Sequence, residues 1–83
     1  MIYTVTWHPS AEARLTTLWN DALDQQAITD SSNRIDDELK SNPDRKGIPF
    51  GQLYIYSDDP LAVLYEVDPG DRMVRVIAVK MMQ

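Results

Sequence analysis

Apolar and polar positions change period twice along this chain, and the changes divide it. Ile2, Val5 and Trp7, with Tyr3 between them, predict a first strand of about six residues. His8-Pro9-Ser10 closes it, because proline lacks the ladder donor yet suits the first position of a helix. Ala11, Leu15, Leu18, Trp19, Ala22 and Leu23 then recur every three or four residues, predicting a helix over 10–23 with one apolar stripe. Glu12 suits its amino end. Asp24 is placed to cap a second helix over 25–40, with Ala27 or Ile28, Ser31, Ile35 and Leu39 facing inward. Arg34/Glu38 and Asp36/Lys40 are spaced to pair on its outer face. The two helices are expected to form an antiparallel hairpin.

Ser41-Asn42-Pro43-Asp44 stops the second helix, and Lys46-Gly47-Ile48-Pro49 reads as continuing loop. From Gly51 the period becomes two. Gln52, Tyr54 and Tyr56 alternate with Leu53 and Ile55, Ser57-Asp58-Asp59-Pro60 makes a turn, and Leu61–Val67 and Met73–Lys80 flank Asp68-Pro69-Gly70-Asp71. The last two runs are apolar on both sides, as central strands are. The expected class is α+β with order β-α-α-β-β-β, a helix hairpin packed on one face of a mainly antiparallel sheet. The first strand must pair at an edge or within that sheet.

Eighty-three residues, 43% of them hydrophobic, make a single domain over residues 1–83. No cysteine is present, which removes disulfides, thiolate metal sites and a thiol nucleophile, and fits a reducing cytoplasm. The amino-terminal stretch lacks the basic start and apolar core of a signal peptide, and continuous apolar runs such as Val76–Val79 are strand-sized, so no membrane is expected. Thirteen acidic against eight basic residues give a net charge of −5, the wrong sign for a generic nucleic-acid binder. That charge favours a protein target or a non-toxic role over direct RNA binding, and would complement a basic partner segment.

Four stretches together carry a resemblance to a known family. YTVTWHPSAEARL resembles the opening strand, turn and first helix of the RelE/ParE superfamily of type II toxin–antitoxin toxins, which includes plasmid-stabilisation proteins. SSNRIDDELKSNPDRKG resembles the end of its second helix, and PLAVLYEVD and RMVRVIAV its two central strands. The match spans nearly the whole chain. It implies a cytoplasmic, growth-inhibiting protein neutralised by a cognate antitoxin. Its target is then DNA gyrase, as in the ParE-like branch, or mRNA in the ribosomal A site, as in the RelE-like branch. The resemblance also admits a non-toxic relative that keeps the fold as an interaction protein, and a homodimer.

RNA cleavage through 2′-OH attack needs a proton acceptor, a cation facing the phosphate and a donor for the leaving oxygen. The resemblance implies an arginine ahead of the first central strand, where this chain has Ala62. It also implies Arg, His or Tyr after the last strand, where Lys80-Met81-Met82-Gln83 follows. These departures weigh against a nuclease. The remaining catalytic candidates are Arg45, Lys46, Arg75 and Lys80, of which Arg75 is expected to share a side with Ile77 and Val79, opposite Lys80. Arg75 could contact phosphate with Arg45 or Lys46, or simply pair with Glu66. His8 is expected to serve the turn before the first helix, and Asp36-Asp37-Glu38, pointing to different helix sides, to be solvated. No metal or other cofactor is expected. Trp7 and Trp19 are expected in the core between the first strand and first helix. Tyr54 and Tyr56 share a strand face and either meet a partner or cover the core edge, while Met81 and Met82 form a soft apolar tail open to a partner.

Overall fold

A computed structural model of the chain describes residues 2–82. Strand β1 (Thr4–Trp7) leads into helix α1 (Pro9–Asp21), helix α2 (Gln25–Glu38), a one-turn helix α3 (Pro43–Lys46) and strands β2 (Ile48–Phe50), β3 (Leu53–Asp58), β4 (Leu61–Asp68) and β5 (Met73–Met81). One five-stranded sheet has the order β1-β5-β4-β3-β2. β1 runs parallel to β5, and every other pair is antiparallel. The helices cover one face and leave the other open. This is the expected α+β arrangement, with β4 and β5 central and β1 at an edge.

The helices begin where local chemistry dictates. His8 accepts the Ser10 N–H on Nδ1 at 3.2 Å and Pro9 opens α1, so the lone histidine is a cap. Asp24 accepts the Ala27 N–H at 3.1 Å and starts α2. Trp19 Nε1 donates to Thr29 Oγ1 at 3.1 Å near the connector, while Trp7 Nε1 reaches Asp36 at 3.4 Å further on, so the helices run back against each other.

The core fills the space between helices and sheet. Ala11, Ile28, Ile35 and Leu39 meet Leu61, Val63, Tyr65, Val74, Val76 and Val79, all nearly or fully buried. Ser31, also fully buried, donates to the Asp58 carbonyl and so ties α2 to the end of β3. The Tyr65 hydroxyl donates to the Pro43 carbonyl at 2.6 Å, and its ring stacks on Tyr54 at 5.5 Å between centroids. A Cβ on Gly47 would collide with the Tyr65 hydroxyl. The residue is therefore glycine for close approach.

Several expectations change. β1 has four residues, not six: Ile2 makes only an isolated bridge to Ser41 and is exposed. α1 ends at Asp21, which leaves Leu23 outside the helix and fully exposed; the apolar spacing runs about two residues past the helix itself. Trp19 lies 39% exposed, linking the two helices instead of entering the core. The i,i+4 pair Asp36/Lys40 forms at 3.4 Å. Arg34 and Glu38 do not pair with each other, because each finds a tertiary partner. Arg34 forks onto Asp58, with Nε and Nη2 both 2.9 Å from its oxygens, and Glu38 takes Lys46 at 2.6 Å. The loop expected over 46–49 is the end of α3 and most of β2.

Candidate functional site

The open face of the sheet is where functional side chains could gather without disturbing the core. Its rows follow from register. Ile48 pairs with Ile55 and Phe50 with Leu53; Ile55 pairs with Leu64, and Ser57 with Ala62. On β4 and β5, Ala62 faces Lys80, Leu64 faces Ala78 and Glu66 faces Arg75. A bulge between Leu64 and Tyr65 shifts the pairing so that Ile77 has no opposite residue. That extra residue rephases β5. Val74, Val76 and Val79 all reach the helix side, while Arg75, Ala78 and Lys80 are exposed. The expectation that Arg75 and Val79 share a side, with Lys80 opposite, is corrected: Arg75 and Lys80 lie on the same open face.

Between β2 and β5 this face sinks into an apolar groove of ≈ 260 Å³, lined by Phe50, Ile55, Ala62, Leu64, Ala78 and Lys80. Its floor is shallowest in side-chain bulk at the two alanines. Ile48 and Phe50 stand above it, 71% and 61% exposed. The loop expected over 46–49 gives way here to a strand that forms this wall. The signal was present, since Ile48 and Phe50 alternate around Pro49 just before a turn, but proline within a run argues against a strand.

The cations do not converge here. Arg75 donates to Glu66 across the strands at 2.6 Å, and that carboxylate raises the arginine's pKa further. Lys46 bonds to the Glu38 carboxylate at 2.6 Å and carbonyl at 2.8 Å, closing the carboxyl end of α2 on the helix side of the molecule. Arg45 lies on α3, beside the helix layer into which Tyr65 points. Lys80, at the groove's rim, and Arg45 have no ion pair among the described residues. Position 62, where the family resemblance implied an arginine, is an alanine in the groove floor.

The apolar candidates divide in the same way. Tyr54, Tyr56 and Met81 are half-buried against the core on the helix side, and burial pushes the Tyr56 hydroxyl pKa up. Met82 is exposed, its N–H donating to the Pro60 carbonyl at 2.8 Å. Chemically the open face offers apolar contact, one neutralised arginine and one available lysine. Among the described residues no three His, Asp or Glu side chains gather as a metal set, and no helix is long and apolar enough to cross a membrane.

No protein-family model matches the sequence, and no curated protein matches it. Solved structures do match in shape. A chain of the RelBE2 toxin–antitoxin complex of Mycobacterium tuberculosis superposes with a TM-score of 0.82 at 18% identity, over 99% of this chain and 100% of that one. A chain of the chromosomal ParDE toxin–antitoxin system of P. aeruginosa gives 0.75 at 8% identity, over 99% and 98%. The E. coli toxin RelE in the free state, as an arginine-to-alanine double variant, gives 0.71 at 16% identity, over 98% and 84%. End-to-end likeness at such low identity is likeness of architecture, and the architecture is the RelE/ParE-type toxin–antitoxin fold.

Proposed function

We propose that this chain is the toxin of a type II toxin–antitoxin pair, held inactive in the cytoplasm by a cognate antitoxin, and that it acts on a protein such as DNA gyrase. The toxin reading rests on superposition over essentially the whole chain with proteins of toxin–antitoxin systems, including a free toxin. Fold alone does not carry activity, so the choice of target rests on the site. One observation carries it: among the described residues the open face holds two cations, Arg75 and Lys80, and Glu66 already neutralises Arg75. Transfer at a phosphate develops charge that needs several preorganised donors and a proton acceptor. The only histidine is engaged as a cap. A protein target needs none of this apparatus.

Tightly induced expression in bacteria tests the toxin reading, followed by supercoiling assays with purified gyrase and cleavage assays on mRNA-programmed ribosomes. Loss of colony survival with inhibited supercoiling and intact mRNA is the expected result. Cut mRNA with unaffected gyrase would establish the alternative, a ribosome-dependent endoribonuclease with an atypical site. Full survival with abundant soluble protein, in a host carrying both targets, would identify a non-toxic relative that keeps the fold as an interaction module.

A further inference from the structure

The negative charge of this protein is concentrated on its helix hairpin. Residues 9–40 hold seven acidic side chains against three basic ones, which is four of the five net negative charges. Between α1 and α2 runs a seam that the fold leaves unfilled. Two adjoining hollows of ≈ 200 and ≈ 320 Å³ share Leu15, Thr16 and Ser32 as walls. The first continues to Trp19 and Ile28, the second to Trp7, Glu12 and Asp36. Indole hydrogen bonds close the two ends, Trp19 to Thr29 and Trp7 to Asp36. The seam is therefore apolar toward the connector and acidic toward the start of α1. Among the described residues no lysine or arginine lines it. Lys40 takes up part of the Asp36 charge at 3.4 Å, whereas Glu12 has no ion pair among those residues. At the connector Leu23 stands fully exposed, with Asp21 and Asp24 beside it in the chain.

We infer that this seam receives an amphipathic, basic helix of a partner protein. Its aliphatic side chains lie against Leu15, Trp19 and Ile28, and its cations against Glu12 and Asp36 at one end and Asp21 and Asp24 at the other. The sign of the charge selects the partner's chemistry, since a hairpin of net negative charge repels an acidic segment and draws in a basic one. The walls select its conformation. They are helices whose backbone groups are bonded internally, and even Thr16 and Ser32 return their hydroxyls to carbonyls of their own helix, at 3.1 and 2.9 Å. An extended segment would find no ladder there, while a helix brings its backbone bonds with it. From Glu12 to Trp19 α1 rises about 10 Å, or two turns. The partner's cations and aliphatic centre therefore alternate over the same two turns, where the tryptophan faces add attraction for the cations. The seam lies on the helix side, apart from the open sheet face, and this inference does not depend on the toxin reading.

Both tryptophans of the chain line the seam, so their fluorescence reads its occupancy directly. The probe is a synthetic helical peptide of about 18 residues, alanine-based with a leucine stripe flanked by lysines. Its counterpart carries glutamate in place of lysine. Titration of the whole chain with the basic peptide should shift the emission saturably, with half-saturation below about 100 µM, and the acidic peptide should not. Glu12→Lys and Thr16→Arg, at exposed positions along the seam, should each weaken binding about tenfold or more. Phe50→Ser, on the open side of the sheet, should leave it unchanged. No saturation up to about 1 mM, equal binding of the acidic peptide, undiminished binding by either seam variant, or a loss confined to Phe50→Ser overturns the inference. If a seam variant disturbs the fold by circular dichroism, the wild type still decides. In the isotope-labelled chain, amide shifts caused by the basic peptide must centre on Leu15, Trp19 and Ser32, and shifts centred on the sheet overturn it equally.

Discussion

Tyr65 shows how much one side chain organises here. It is fully buried, yet its hydroxyl has a partner in the Pro43 carbonyl. Burial, with lesser help from Tyr54, pushes its pKa up to about 12. The folded protein therefore holds the phenolic proton more tightly than the unfolded chain, whose value is near 10. This contribution is intact below pH 10 and is lost as pH rises through 12, amounting to about 2–3 kcal/mol over that window. Urea midpoints measured from pH 8 to 12 should fall most steeply above pH 10, and Tyr65→Phe should flatten that fall. Gly47→Ala is a companion experiment. Its methyl would strike the Tyr65 hydroxyl and crowd Tyr54, so the substitution should cost about 1–3 kcal/mol. Combined with Tyr65→Phe the cost should drop, since the struck atom is gone, and a double-mutant cycle reads the difference.

Elements are joined by a small number of fasteners. Ser31 and Arg34, one turn apart on α2, both reach the end of β3, the first through the Asp58 carbonyl and the second through its carboxylate. Ser31→Ala would strand that carbonyl beside a buried position and should destabilise by about 1–3 kcal/mol, measured as a lowered melting temperature. Asp24→Ala removes the cap of α2 and should cost about 1 kcal/mol. What the sequence disclosed at this scale was whatever is decided locally. The α2 stripe of Ile28, Ser31, Ile35 and Leu39 and its cap were legible because spacing and one side chain suffice. The face of Arg75 was not, because the bulge opposite Leu64/Tyr65 exists only once β4 and β5 are paired. β2 was hidden by Pro49, whose edge position only the assembled sheet reveals. Leu23 was misplaced because its spacing continues the stripe while the helix itself stops at Asp21. At the candidate site, the Glu66–Arg75 pair was readable as an alternative; the apolar groove was not, being made from four strands at once.

At the scale of the whole molecule, charge and shape are segregated. One side is helical and acidic, with its arginines and lysines largely engaged; the other is a bare sheet face with little charge. If activity is toward a protein target, removing the face's two cations should matter little. Arg75→Ala with Lys80→Ala is therefore expected to retain toxicity in the induced-expression assay. Collapse of toxicity with a stable, soluble double variant would instead place phosphate chemistry on this face.

The parallel pairing of β1 with β5 has a consequence in time. Thr4 leaves the ribosome well before its sheet neighbour, Met73. Until β5 emerges, β1 has no ladder to join, and α1 lacks the valines of β5 on which it rests. Long-range pairing of this kind delays folding until the intervening chain is available. A chain stopped before Met73 should show the circular dichroism of an unfolded polypeptide. During synthesis, then, neither the groove nor the helix-covered face exists until β5 has emerged.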